Sequence, residues 1–470
     1  MKPIKKDTLL TSVLTTVLIF GTGAWAQDSF ESENKKIRRD KFDQVLPKVM
    51  REHNVDMWIH VMREEVPDEF GAGEFGGTSG VFIFTDRGED RIERAVLGRR
   101  WGARQRERIA TEFHDPILRL DAYDIVTEPI RIQEPLSGPI TEYDLRFEGL
   151  HEFVKRRNPQ RIAVNFKHKL GQWPTYIGES DGISHTDYIL LAEELGEKFA
   201  GRLVSSEFVQ VDYSIRKVPS EIALLKIMRE RDVEATRELF ASIMPGITRS
   251  DEIELATFRR MSTGLSQRGR SAGWEDSVVQ GGDILVQPII GMYAYVLRDG
   301  ETEPPTEVRK LWAEYLKIDK VLAETIKAGL TPRQIIDDYT KKFDELGIII
   351  RADQMHMVLP KNDFTAYTDG YDASKTHLTI DSHGQVKGAR AMSEETYFSP
   401  RIGSYGPDWT IDKPLAPNHH FVLEYFFYMP SVASKDKDQY LLWWDHEEAI
   451  ATEEGVEYLS PPQTELILIK

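Results

Sequence analysis

Apolar residues along this chain recur in two rhythms, one at every third or fourth position and one at every second. Phe42, Val45, Leu46 and Val49 keep the helical spacing between Lys41 and Met50, which predicts an amphipathic helix. Asp56 to Val61 reads as a strand, and Val81 to Thr85 and Arg94 to Leu97 read as two more around the turn Asp86-Arg87-Gly88. A helical segment from Leu150 to Lys155 precedes a strand from Arg161 to Asn165. This alternation predicts an α/β domain over residues 41–211. Residues 28–36 are polar, which predicts a flexible segment drawn over 27–40. Gly71 to Gly80 is glycine-rich with no lysine following, so it lacks the phosphate-loop pattern and reads as a mobile loop.

A second domain, residues 217–470, opens on Lys217-Val218-Pro219-Ser220-Glu221-Ile222. Pro219 breaks the preceding structure, and Ser220 is placed to cap a helix running through Leu224, Leu225 and Met228 to Phe240. A repeat follows. Met244-Pro245-Gly246-Ile247-Thr248 precedes a helix expected to end near Arg260-Met261, and Lys327-Ala328-Gly329-Leu330-Thr331 precedes one ending near Lys342-Phe343. Gly246 and Gly329 lie 329 − 246 = 83 positions apart, which reads as a duplicated half-domain rather than a solenoid period.

The chain closes on its most apolar stretch. In Phe421 to Tyr428, strand alternation puts Leu423, Tyr425 and Phe427 on one face and Val422, Glu424, Phe426 and Tyr428 on the other. Both faces are apolar except at Glu424, so a carboxylate is buried there and needs a partner, a proton or a metal. The return strand, Tyr440 to Glu448, ends in Asp445-His446-Glu447-Glu448 before Thr452-Glu453-Glu454-Gly455 turns the chain. Two neighbouring strands therefore gather carboxylates and imidazole, a favoured setting for catalysis.

Composition narrows the choice. Lys2, Lys5 and Lys6, an apolar run from Leu9 to Phe20 and Ala24-Trp25-Ala26 form an export signal over residues 1–26, with cleavage expected after Ala26. The run is short for a membrane anchor, so export to the periplasm is expected. The chain has no cysteine, which excludes disulfides and thiolate metal sites. The leader holds three Lys and one Asp, so its removal takes the net charge from −17 to −17 − 2 = −19. That charge disfavours nucleic acid and anionic lipid as partners.

Several of these segments together resemble the creatinase and aminopeptidase P group, the pita-bread hydrolases. The resemblance runs from Lys41-Phe42-Asp43 and Asp56 to Ile59 through Pro219-Ser220-Glu221-Ile222, the two Gly-aliphatic-Thr repeats and Ala294 to Glu301. It ends with Phe421 to Glu424, Ala451 to Val456 and Pro461-Pro462-Gln463. It implies an α/β N-terminal domain followed by an α+β pita-bread domain with an internal pseudo-two-fold repeat, and a homo-oligomer. Active peptidases of the group hold two divalent metals on two Asp, one His and two Glu, a set suited to Mn, Zn or Co. The stretch matching the aspartate pair, Ile284 to Tyr293, has no aspartate, and Tyr405-Gly406-Pro407-Asp408 stands where the group often has Gly-His. Glu424 matches the first glutamate ligand. The second should precede Gly455 by nine residues, where His446 stands, with Glu447 one step away.

No cofactor is expected on this reading, with a divalent metal as the alternative; only Glu424 and His446 remain as weak metal candidates. The resemblance implies a metal-independent C–N hydrolase of peptides or small amides, with Glu424, His446, Glu447 and His356 as catalytic candidates and His377, His383 and Trp444 against substrate. Its alternatives are a non-catalytic binder of a peptide or small amide, and a metal-dependent Xaa-Pro aminopeptidase with rearranged ligands.

Overall fold

A computed structural model describes residues 24–63, 68–77, 79–89, 91–98, 100–101, 122–127, 130–131, 145–168, 182–249, 259–261, 278–287, 290–350, 375–384, 402–403, 410–430 and 440–470. The N-terminal half is a mixed sheet between two layers of helix. Its strands are β1 (Met57–Met62), β2 (Gly80–Asp86), β3 (Ile92–Leu97), β5 (Ile125–Val126), β7 (Ile162–Val164) and β8 (Leu203–Ser205), in the order β5-β3-β2-β1-β7-β8. Two short strands, β4 (Arg100–Trp101) and β6 (Ile130–Arg131), pair apart from it.

Alternation along these strands builds a core on each face. Trp58, Phe82, Phe84 and Val96 pack with Phe42, Leu46, Phe70, Phe75 and Tyr213, from α1 (Ala24–Gln44), α2 (Leu46–Glu52), α3 (Glu69–Phe75) and α6 (Glu207–Ile215). Met57, Ile59, Val81, Ile83 and Ala95 pack with Leu150, Val154, Leu191, Leu195 and Phe199, from α4 (Leu150–Arg157) and α5 (His185–Ala200).

Three local expectations are corrected here. The polar residues 28–36 are helical and belong to α1, whose buried positions Ile37, Lys41 and Phe42 lie further along. A helix entering a core presents a polar stretch wherever it has not yet reached its partner. The periodic run Lys41 to Met50 is two helices, not one. They break at Val45, and α2 carries a proline near its start, a residue with no N–H to continue the preceding ladder. The glycine-rich segment from Gly71 holds the helix α3. Asp68 caps it by accepting from Gly71 N at 2.7 Å, and Gly76 ends it at φ +81°, a conformation that favours glycine.

The second half begins with α7 (Pro219–Ser242). Its N-cap position is Val218, so Ser220 is not the cap; its hydroxyl instead donates to Asp40 of α1 at 2.5 Å. The strands β9 (Arg259–Met261), β10 (Ile284–Gln287), β11 (Met292–Val296) and β18 (Ile467–Ile469) form a sheet in the order β18-β11-β10-β9. Arg259–Met261, expected at a helix end, is thus a strand, held by its register against Val286, Leu285 and Ile284. The second repeat behaves as expected. Thr331 closes a capping box with Gln334 at the start of α9 (Pro332–Glu345).

A larger sheet holds β12 (Ile349–Ile350), β13 (His377–Gly384), β15 (His419–Pro430), β16 (Tyr440–Ala451) and β17 (Val456–Tyr458), with β14 (Ile402–Gly403) beside β13. One face of it packs on α8 (Thr306–Thr325) and α9 through Leu311, Trp312, Tyr315, Ile335, Tyr339 and Phe343. No helix among the described residues is long and apolar enough to cross a membrane.

Buried charge joins the two halves. Asp212 of α6 accepts from His53 Nε2 at 2.5 Å and from Lys413 Nζ, and Arg216 grips Glu52. Burial opposes ionisation of Asp212, but His53, Lys413 and Arg216 outweigh it and draw its pKa down to about 2. Lys41, fully buried, meets Glu74 at 3.1 Å and Glu221 of α7 at 4.0 Å, and its ammonium lies 4.3 Å from the centre of the Tyr213 ring.

Candidate active site

The long β15–β16 ribbon fixes the site by its register. Glu424 stands directly opposite His446, Leu423 opposite Glu447, Val422 opposite Glu448 and Tyr425 opposite Asp445. Residues opposite one another share a face, and faces alternate along each strand. Leu423, Tyr425 and Phe427 therefore lie with Glu447, Asp445 and Trp443 against α8, while positions 420, 422 and 424 lie with 450, 448 and 446 on the other face.

On that second face the Glu424 carboxylate is buried, and its Oε2 lies 3.9 Å from His446 Nε2. This is an ion-pair distance once the imidazole is protonated, and longer than a hydrogen bond. The Glu424 backbone N–H donates to Ser382 Oγ at 3.3 Å, which ties β15 to β13 beneath the carboxylate. His446 is the most exposed member of the group, with 16% of its side chain accessible. The same face carries a second pair that the sequence alone does not reveal, His420 Nε2 to Glu448 Oε2 at 3.3 Å. Its signal was the two-residue spacing of His420, Val422 and Glu424 against His446 and Glu448, which becomes a pairing only when the register is known. Burial pushes the His420 imidazole towards its neutral form, with Glu448 pulling the other way. Burial, then its neighbour His420, push His419 down to about 3.

The other face holds a different chemistry. Asp445 accepts from the Tyr293 hydroxyl, and Asp319 of α8 accepts from the Tyr458 hydroxyl. Burial raises Asp319 to about 6. Burial and Asp319 push Asp445 well above the carboxylate range, and burial and Asp445 do the same to Glu447. Glu447 lies 3.9 Å from Arg229 of α7. Burial thus biases all three acids behind the sheet towards their protonated forms.

The structure thus brings Glu424 and His446 together and leaves Glu447 apart. Glu447 adjoins His446 in sequence, but one step along a strand reverses the face, so it does not meet Glu424. His377 is buried opposite Tyr428, four residues along from the Glu424 rung and hence about 13 Å away. The backbone of His383 stands opposite Val422 and that of Trp444 opposite Phe426; their side chains, and all of His356, lie outside the described residues.

A two-metal centre needs several anionic donors converging on two close cations. The β10–β11 hairpin offers Gln287, a buried neutral amide, and Tyr293, whose hydroxyl is committed to Asp445. Asp283 precedes β10 and accepts from the Gln280 N–H at 2.8 Å. Among the described residues no three His, Asp or Glu side chains converge in a way that could hold an ion. The described residues by themselves do not supply the donor set of a two-metal centre.

No protein-family model matches the sequence, and no curated protein matches it. Solved structures do match. The X-Pro aminopeptidase of Thermotoga maritima MSB8 superposes with a TM-score of 0.51 at 14% identity, over 90% of this chain and 100% of that one. Dipeptidase PepE of Mycobacterium ulcerans gives 0.50 at 11% identity, over 93% of this chain and 98% of that one. Across nearly its whole length, the chain has the mixed α/β pita-bread fold of the Xaa-Pro peptidases.

Proposed function

We propose that this protein is a peptidase-like hydrolase that cleaves an amide or peptide C–N bond at the Glu424–His446 pair, with no step assigned to a metal. The observation that carries this reading is the direct opposition of a buried carboxylate and a partly exposed imidazole, 3.9 Å apart, on a face they share. A group that must exchange protons with water and substrate has to be reached, and His446 is reached. A group that steadies the charge formed is more effective dry, and Glu424 is dry.

In the proposed reaction, neutral His446 takes a proton from water as its oxygen bonds to the carbonyl carbon. The imidazolium then returns that proton to the departing nitrogen as the C–N bond breaks. Glu424 stabilises the imidazolium by its charge. At 3.9 Å the attraction is on the order of 4 kcal/mol at an effective dielectric of about 20. Export with cleavage after Ala26 belongs to the same proposal and is supported by the charged start, apolar run and small-residue site of the leader. An uncleaved N-terminus in the mass of protein from its native host would refute that part.

The test is turnover of a panel of Xaa-Pro peptides and small amides by wild type, E424Q, H446N and E447Q. Removing a positioned acid–base group costs about 10²- to 10⁴-fold, so E424Q and H446N lose that much while E447Q, altered on the far face, keeps its rate. Equal turnover by wild type, E424Q and H446N would refute the proposal.

A further inference from the structure

The Glu424–His446 pair is not joined by a hydrogen bond. Its carboxylate oxygen and ring nitrogen lie 3.9 Å apart, so their separation is set by the strands that carry them. In an antiparallel ladder a residue's N–H and C=O point to the same side. The Glu424 N–H donates across to β13, so Glu424 and His446 stand opposite one another without exchanging main-chain hydrogen bonds. The β15–β16 ladder therefore grips Glu424 through its neighbours, Leu423 opposite Glu447 and Tyr425 opposite Asp445.

On the β13 side the ladder is interrupted at this same place. Pairing runs from His377 opposite Tyr428 to Ile380 opposite Tyr425, and it resumes with His383 opposite Val422. Between these rungs Asp381 and Ser382 pair with Gly403 and Ile402 of β14. The Glu424 N–H falls in the interruption and donates to the Ser382 hydroxyl oxygen at 3.3 Å. A side-chain oxygen thus stands where a strand carbonyl stands elsewhere along the ladder. Ser382 is fully buried, so its hydroxyl is closed to water and substrate.

We propose that Ser382 is a positioning residue for Glu424: its hydroxyl fixes the main chain at the interruption, and through it the distance from the carboxylate to His446. The inference rests on the reading of Glu424 and His446 as the site. The pair meets by charge, so distance decides its strength. The first ångström added to 3.9 Å takes about 0.6 pH unit off the His446 midpoint at an effective dielectric of about 20.

The test needs no substrate. The ring nitrogens of the twelve histidines are labelled with 15N, His446 is assigned with H446N, and its midpoint is read in wild type, E424Q, S382A, S382C and S382T. Glu448, two residues along β16 from His446, is present in every variant, so its effect cancels. E424Q is expected to lower the midpoint by roughly 1 to 3 pH units. S382A is expected to lower it by roughly 0.3 to 0.9 unit, the effect of a displacement of about 0.5 to 1.5 Å. S382T keeps the hydroxyl and stays close to wild type. A merely structural serine would shift the urea midpoint of S382A and leave the His446 midpoint alone. If S382A leaves the His446 midpoint unchanged while E424Q lowers it, or if S382T lowers it as far as S382A, the hydroxyl does not position Glu424 and the inference falls. If E424Q itself has no effect, the Glu424–His446 reading falls and takes the inference with it. Should S382A fail to fold, S382C, which keeps the shape with a weaker acceptor, is expected to shift the midpoint in the same direction and decides.

Discussion

Asp319 makes the protein's stability depend on pH in a direction opposite to that of most buried carboxylates. Burial raises its pKa from 3.8 to about 6, against the single hydrogen bond from Tyr458. The folded chain therefore holds a proton that the unfolded chain releases between these values. Stability falls as pH rises through this window, and the full cost is present above about pH 6. A tenfold change in proton affinity is worth about 1.4 kcal/mol, so the cost at pH 7.5 is on the order of 3 kcal/mol. D319N removes the ionisation and keeps a carbonyl oxygen for the Tyr458 hydroxyl. It also relieves Asp445, which Asp319 pushes upward. Urea unfolding, followed by tryptophan fluorescence at a series of pH values, measures the effect; Trp312 and Trp443 both report on the core beside Asp319. D319N should be more stable than wild type by about 1–3 kcal/mol at pH 7.5, with the difference closing towards pH 4. A variant no more stable at pH 7.5, or one whose advantage persists at pH 4, would refute the reasoning.

Other perturbations reach other parts of the fold. D212N should cost about 2 kcal/mol or more at neutral pH, because the Asp212 pKa of about 2 gives stability that is full above about pH 4 and is lost as pH falls through 2. Chemical denaturation at pH 7 and pH 2 checks this, with the two proteins converging at the lower pH. T331A removes the capping box of α9 and should lower stability by about 1 kcal/mol, seen as an earlier denaturant midpoint. G455A is strained twice, by φ +149° and by a Cβ that would meet the Ala323 carbonyl oxygen at 2.7 Å; a loss of about 1–3 kcal/mol is expected in the same assay.

Strand pattern carried more of this fold than helix pattern did. The run Phe421 to Tyr428 declared its two faces, and Leu423, Tyr425 and Phe427 are indeed the ones packed under the helices. Trp443 likewise joins that core. The hairpin around Asp86-Arg87-Gly88 and the strand after Leu150 to Lys155 were also legible, because turn residues and alternation act locally. What a single strand cannot state is its register. His420 and Glu448 are separated by 28 positions (448 − 420) and become partners only through the β15–β16 pairing. Glu447 adjoins His446 in sequence, yet a strand puts neighbours on opposite faces, and the register sets it apart from Glu424. Asp319 interrupts the apolar stripe of α8 between Tyr315 and Leu322, but only the packing of α8 on the sheet brings it to Tyr458 and Asp445. The polar start of α1 read as flexible because its composition is that of a solvated surface, which a helix and a coil share.

The most direct test of the central claim is amide or Xaa-Pro peptide turnover by one preparation before and after exhaustive chelation, with bound metal measured in parallel. The Glu424–His446 reading predicts a rate that survives chelation and is not raised by adding back Mn or Zn. A rate lost on chelation and restored by either metal would contradict it.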